Sequence, residues 1–340
     1  MVLIGPNGAG KTSLLEAITL ACLGVSPRTA SAGEVVRAGA EALWVGLDIG
    51  HGDGAERREI GYAPGRPRRL RRAGEPVRSL GEWRLPGALL VFLPDELRSV
   101  KGPPAARRRA LDRLLEAAED GYAASLSGYQ EALAQRNALL RRVRAGDAGV
   151  DGLSPWESRL AQLGAAVAAA RRRATSALAP LFARRLAELG GDADAAVTLE
   201  ANVPQLATAD DDLLEAALLE ALQTRRPRDI AAAQTTAGPH RDDIWIGAAG
   251  RDLRRLGSQG EQRLAALALL LAGRDLLSAT APMPVMLLDD VLSELDPTRR
   301  AALLRALADG GQALLTTADP LAADEAERCG AVRIPIQAAA

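Results

Sequence analysis

The chain is poor in several residue types, and each shortage excludes something. Its 340 residues hold two cysteines, Cys22 and Cys329, and two histidines, His51 and His240. That is too few for a disulfide framework or a zinc cluster, and it points to a reducing, cytoplasmic setting. Aromatic residues make up 3%, which argues against a reader of single strands that stacks bases on rings. No apolar run approaches the roughly 18 residues of a membrane span. No charged start, apolar stretch and small-residue cleavage site mark a signal peptide, so no membrane partner is expected. The net charge is −1, so no global field draws the chain onto a polyanion. Any nucleic-acid surface must be a local patch.

Lysine is the scarcest of the common charged residues. Of 42 basic residues only Lys11 and Lys101 are lysine. With abundant alanine, glycine and proline, this is the bias of a GC-rich coding sequence. Arginine runs are therefore weak evidence of function, and a lysine in a chemical motif stands out.

One of the two lysines sits in such a motif. Gly5-Pro6-Asn7-Gly8-Ala9-Gly10-Lys11-Thr12 fits the phosphate-loop pattern G-x-x-x-x-G-K-[ST]. Val2-Leu3-Ile4 before it reads as a buried strand end, and Ser13 to Ile18 after it opens an amphipathic helix. Glycines let backbone N–H groups turn onto phosphate oxygens, and the helix N-terminus adds partial positive charge. Lys11 is placed to reach the β- and γ-phosphates of ATP, and the Thr12 hydroxyl to ligate Mg2+.

The complementary chemistry lies far away in sequence. Val285-Met286-Leu287-Leu288 is a continuous apolar run that ends in Asp289-Asp290, as a buried parallel strand would. Carboxylates at that end face the crevice where open α/β sheets bind ligands. Asp289 is then an outer carboxylate for Mg2+, and Asp290 the group that orients or deprotonates the attacking water. Ser258-Gln259-Gly260-Glu261 precedes a long apolar helix. Ser258 is an N-cap, and the free N–H groups at Ser258 and Gly260 suit an anion; a plain helix cap is the rival reading.

The order of these pieces resembles the ATP-binding-cassette ATPase head. The separation of 278 positions from Lys11 to Asp289 exceeds what a transporter head needs and implies an inserted domain, as in the SMC, Rad50 and RecF group. Finer matches resemble RecF, the DNA replication and repair ATPases. They are Phe92-Leu93-Pro94-Asp95-Glu96-Leu97 with Val100-Lys101-Gly102-Pro103-Pro104, Arg136-Asn137-Ala138-Leu139-Leu140-Arg141, Pro155-Trp156-Glu157, Gly238-Pro239-His240-Arg241-Asp242-Asp243 and Ser293-Glu294-Leu295-Asp296. Against that family's pattern, about 25–30 residues that would carry the first strands of the head are absent in front of Met1. Glu261 stands where many cassette ATPases have glutamine, and Asp290 where they have glutamate. No switch histidine follows Leu314-Leu315-Thr316-Thr317.

The resemblance implies an α/β fold: a P-loop cassette head carrying an inserted, mostly helical arm. The expected divisions are 1–104 for the first part of the head, 105–233 for the arm and 234–340 for the rest of the head. Strands are expected near 2–4, 43–49 and 89–93, a helix at about 11–23 and another at about 154–189. Short hydrophobic segments exclude a long coiled coil, which needs sustained heptads. Arg66–Arg72 reads as a loop or hairpin tip, functional or merely solvated; Arg107–Arg109 and Arg171–Arg173 read as solvated faces of the arm or, with Arg66–Arg72, as the local patches that would meet DNA phosphates. His240, a lone histidine in a turn, reads as structural, while the RecF resemblance raises its interest as a site residue without fixing a role.

In function, the resemblance implies an ATP-dependent homodimer in which the phosphate loop of one protomer faces Ser258 and Gly260 of another. It further implies duplex DNA binding near single-strand gaps, recruitment of recombination mediator proteins and a part in the response to DNA damage. Asp290 is one methylene shorter than glutamate, so hydrolysis is expected to be slow. Three rivals stay open at this point: a transporter nucleotide-binding subunit, a non-hydrolysing DNA or scaffold protein of the same fold, and another SMC-like ATPase.

Overall fold

The computed structural model describes residues 1–29, 32–51, 54–85, 87–279 and 282–337. The chain forms two compact units, residues 1–95 with 281–340, and residues 96–280.

The first unit is built on a five-stranded parallel sheet. In spatial order its strands are Arg333–Pro335, Val2–Ile4, Ala313–Thr317, Val285–Leu288 and Leu89–Phe92. Every pairing is parallel. The apolar runs expected at 2–4 and 285–288 supply inner strands, because strands covered on both faces need continuous apolar sequence, and the run at 89–93 supplies the edge strand Leu89–Phe92. Helix Lys11–Leu23 covers one face. Leu15 and Cys22 join Leu3, Leu89, Leu287 and Leu314 in one apolar cluster. Burial pushes the Cys22 thiol up to about 11, with Arg58 opposing it, so it packs as a small apolar group. On the other side of the helix, Leu20 meets Ile60, Leu70 and Trp83. Those residues belong to or flank a four-stranded antiparallel sheet, Leu43–His51, Gly54–Tyr62, Arg69–Arg72 and Glu75–Pro76. The helix is thus the shared core of two sheets.

The second unit is mainly helical, with a small antiparallel sheet of Ala195–Glu200, Asp243–Ala248 and Arg251–Asp252. Its spine is the 36-residue helix Leu153–Glu188. The alanine-rich middle of that helix is buried, because small side chains let neighbouring helices come close. At Gly164 an added Cβ would lie 2.5 Å from Leu218 and 3.0 Å from Tyr129. Helix Tyr122–Ala145 turns back into the spine through Gly146, whose φ is +83°, and a 3-10 turn at Val150–Gly152. Residues 146–152 are therefore the turn of a helical hairpin. Residues 234–280, which sequence order grouped with the head, pack in this unit: Asp243–Ala248 pairs with Ala195–Glu200, and helix Gln259–Ser278 contacts the spine.

The two arginine clusters of the arm are largely engaged within the chain rather than solvated, with only Arg109 and Arg173 of the six exposed. Arg107 is buried and makes a two-pronged ion pair with Asp243 at 2.7 and 2.6 Å. Arg108 donates to the Asp242 carbonyl. Arg171 is buried against both oxygens of Asp112 at 2.9 Å and donates to the Pro239 carbonyl at 2.7 Å. Arg172 and Arg173 pair with Asp211, and Arg173 also with Glu119; Arg109 alone of the six is exposed without a described partner. The planar guanidinium satisfies a carboxylate and a carbonyl at once, so arginine here serves as internal crosslink.

A further arginine sits deeper. Arg136 is fully buried between Glu157 at 2.9 Å and Asp229 at 2.7 Å, with Thr235 Oγ1 at 2.9 Å. His240 belongs to the same region. Its Nε2 lies 3.1 Å from the Thr235 carbonyl and its Nδ1 2.7 Å from the Tyr129 hydroxyl. A carbonyl only accepts, so Nε2 carries the proton and Nδ1 accepts from Tyr129. Burial, ahead of all other influences, lowers the imidazole to about 4, so it is neutral at ordinary pH. The histidine expected to be structural is held by partners on both ring nitrogens.

Candidate functional site

The loop Gly5–Thr12 links the strand Val2–Ile4 to its helix, and its glycines answer two separate demands. Gly8 and Gly10 have φ of +82° and +91°, a region that side chains with a Cβ rarely adopt. Gly5 is needed for space: a Cβ there would lie 2.2 Å from the Ile336 carbonyl oxygen. Pro6, Asn7 and Ala9 fill the remaining positions, and Ala9 N–H closes a turn onto the Pro6 carbonyl at 3.2 Å.

Lys11 opens the helix and is largely buried. Its Nζ donates to the carbonyls of Gly5 at 2.8 Å and Pro6 at 3.0 Å. The ammonium is thereby folded across its own loop, with no carboxylate in its hydrogen-bond set. Thr12, next along the helix, donates from Oγ1 to Asp289, at 2.8 Å from Oδ2 and 3.0 Å from Oδ1. A contact across 277 residues of sequence therefore joins the two motifs expected to meet.

Asp289 is held from a second side. Thr316 Oγ1 donates to Asp289 Oδ1 at 2.6 Å and accepts from the Asp290 N–H at 2.9 Å. One buried threonine thus fixes both acids at the end of strand Val285–Leu288. Sequence reasoning missed it. The only trace was a polar pair, Thr316-Thr317, ending an apolar strand. Asp290 turns the chain sharply, with φ of +48°, a conformation that aspartate tolerates better than most residues. Its Oδ1 is buried and without a hydrogen-bond partner among the described residues, while its carbonyl accepts from Ser293 Oγ at 2.9 Å. Asp242 Oδ2 and Glu325 Oε2 share this condition, and such an oxygen is open to a hydrogen bond from water or a ligand.

The donor set suits a magnesium nucleotide. A hydroxyl and a carboxylate converge at Thr12 and Asp289, and such hard oxygen ligands are those Mg2+ takes alongside phosphate. The loop supplies backbone N–H groups and one ammonium.

In the other unit, Ser258 caps helix Gln259–Ser278. Its hydroxyl accepts from the Glu261 N–H at 3.2 Å, and Glu261 returns a bond to the Ser258 N–H at 2.8 Å. This reciprocal capping box explains glutamate at 261: its bonds to Ser258, with Arg251 3.0 Å away, hold the carboxyl below its usual range. Ser258, Gln259 and Gly260 are exposed, so the helix start is presented to solvent. Gln262 is buried and donates to the carbonyls of Leu253 and Arg254 at 2.9 and 3.3 Å, tying the helix to the turn before it.

Comparison with known proteins follows these features. Residues 1–62 match a family described as an AAA domain. The chain is 40% identical over 329 residues to a DNA replication and repair protein RecF of Frankia alni, covering 94% of this chain and 87% of that protein. It is 38% identical to the RecF of Heliobacterium modesticaldum, covering 97% and 88%. Among solved structures, the recombination mediator protein RecF with ATP, from the RecFOR pathway, superposes with a TM-score of 0.85 at 29% identity, covering 94% of this chain and 85% of that one. An SMC head from Pyrococcus yayanosii shares the fold alone, with a TM-score of 0.57 at 14% identity over 99% of this chain and 90% of that one. Among the described residues no helix is long and apolar enough to cross a membrane. The α/β architecture, the helical insertion and a similarity that covers 94% of the chain agree: the chain belongs to the RecF family of DNA replication and repair proteins.

Proposed function

We propose that this protein binds ATP with Mg2+ at Gly5–Thr12 and Asp289, hydrolyses it slowly, and uses it to close a homodimer on duplex DNA during recombinational repair. The observation that carries this reading is the Thr12–Asp289 contact. It brings a phosphate loop and an acidic strand end into one site. Bound Mg2+ neutralises charge on the β- and γ-phosphates. The chain's own residues do the rest. Loop N–H groups and Lys11 hold the phosphates, with Lys11 exchanging the Gly5 and Pro6 carbonyls for phosphate oxygens. Asp289 and Thr12 hold the ion, and Thr316 keeps Asp289 aimed. Asp290, with its unpaired oxygen, orients water at the end of a short side chain, which suits a switch more than fast turnover.

Ser258 and Gly260 complete the site in the partner protomer: the capping box takes up the Ser258 and Glu261 N–H groups, and the exposed helix start offers the Gln259 and Gly260 N–H groups and its dipole to an anion. Relatives named as recombination mediators support a place at gapped DNA beside other mediator proteins.

The test is Ser258→Arg. Light scattering with MgATP should show the wild type doubling in mass. The variant should bind a labelled ATP analogue as the wild type does yet remain monomeric, because a long cation intrudes on the helix start. Loss of the cap itself costs only about 1 kcal/mol, too little to unfold the chain. A variant that dimerises like the wild type would leave Ser258 as a cap alone.

A further inference from the structure

We propose that the arginine hairpin at residues 63–78 is the surface by which this protein grips the phosphate backbone of duplex DNA. The inference rests on the DNA-binding reading above and assigns it a place. Residues 63–78 carry six arginines, at 66, 68, 69, 71, 72 and 78, and one acid, Glu75. Several arginines elsewhere are engaged within the chain: Arg107, Arg136 and Arg171 are buried on carboxylates, and Arg172 and Arg173 pair at the surface. Arg109 and Arg255 are each exposed singly, whereas the hairpin gathers its own in one short segment. Arg66, Arg69, Arg71, Arg72 and Arg78 are exposed, and none has an ion pair among the described residues.

The display is rigid. The Arg66 N–H bonds the Ala63 carbonyl at 3.0 Å to close the first turn. Strand Arg69–Arg72 pairs antiparallel with Gly54–Tyr62, and Leu70 anchors it in the core with Ile60 and Trp83. Ala73 and Gly74, with φ of +50° and +85°, form the tight two-residue turn that returns the chain to Glu75–Pro76. Arg69 and Arg71 stand two residues apart on one strand face, about 7 Å along the strand, a spacing comparable with successive phosphates. Arginines on a backbone already held in a sheet lose less freedom on binding than arginines on a loose loop. The acids on that sheet face, Asp48 and Glu59, are already engaged by Arg57 at 2.8 and 3.7 Å. The hairpin exposes no large apolar side chain of its own, so it lacks what insertion into a lipid surface needs.

Duplex DNA is titrated by anisotropy with MgATP across a salt series, for the wild type and for a variant with Arg66→Gln, Arg69→Gln, Arg71→Gln and Arg72→Gln. Each phosphate contact contributes about 0.9 log units per log unit of salt. The variant should lose up to roughly 3.6 log units of slope and bind at least tenfold more weakly at low salt, while ATP-driven dimerisation stays as in the wild type. Arg173→Gln, whose charge is met by Asp211 and Glu119, should keep the wild-type slope. A wild type that does not bind duplex DNA removes the underlying reading. A wild type that binds, with a variant of equal affinity and slope, overturns this assignment alone. So does a variant that loses binding to anionic vesicles but not to DNA.

Discussion

Lys11→Ala should weaken ATP binding by roughly ten- to a hundredfold, the equivalent of one charge-assisted hydrogen-bonded group, with little loss of fold. The ammonium is the one side-chain cation of the phosphate loop, and its present partners are two carbonyls of that loop. Removing it leaves those carbonyls at a partly buried edge that water reaches, so the structural cost is small. The chemical cost is large, because no other side chain of the loop offers positive charge. Equilibrium titration with a fluorescent ATP analogue, beside a thermal melt of each form, separates the two effects. Equal affinity in both forms would remove Gly5–Thr12 as the nucleotide site.

Arg136→Ala should act in the opposite way, on stability and not on the nucleotide site. It strands Glu157 and Asp229, both fully buried, and breaking a buried pair costs about 3–5 kcal/mol. Glu157 retains Arg226, and the Asp229 carboxylate retains the Thr236 N–H and hydroxyl at 3.0 and 2.7 Å. These partners place the expected loss near the lower end of that range. Urea unfolding measures it as a shift in midpoint at constant slope. A midpoint unchanged from the wild type would mean that water enters the region and solvates both acids. Burial of so many charges stakes the unit on complete pairing, which fixes helices Tyr122–Ala145, Leu153–Glu188 and Arg226–Ala232 in one arrangement.

What could be read from sequence was what is local. The phosphate loop is contiguous, so its glycines, Lys11 and Thr12 declare themselves by spacing. The capping residue Ser258 is likewise decided within four residues. Strand runs such as 285–288 are legible because a buried parallel strand needs unbroken apolar sequence. The pairings that hold the molecule together are not local. Arg107 meets Asp243 across 136 residues and Arg171 meets Asp112 across 59, and nothing in an arginine triplet says whether carboxylates or water await it. Composition made this worse, since arginine is the default base at nearly every basic position. Thr316 was hidden for the same reason: a threonine at a strand end is unremarkable until the fold sets Asp289 beside it. The assignment of 234–280 followed chain order, whereas packing follows the spine helix that those residues touch.

The central claim is that each nucleotide site is completed by a second copy of the chain. The most direct measurement is ATP hydrolysis per protomer as a function of protein concentration, at saturating MgATP, with mass followed by light scattering on the same samples. The account predicts that turnover per protomer is low in the dilute, monomeric range and rises with concentration in step with the dimer fraction. Turnover that stays constant while the mass passes from monomer to dimer would contradict it, because the monomer would then hold every group the reaction uses.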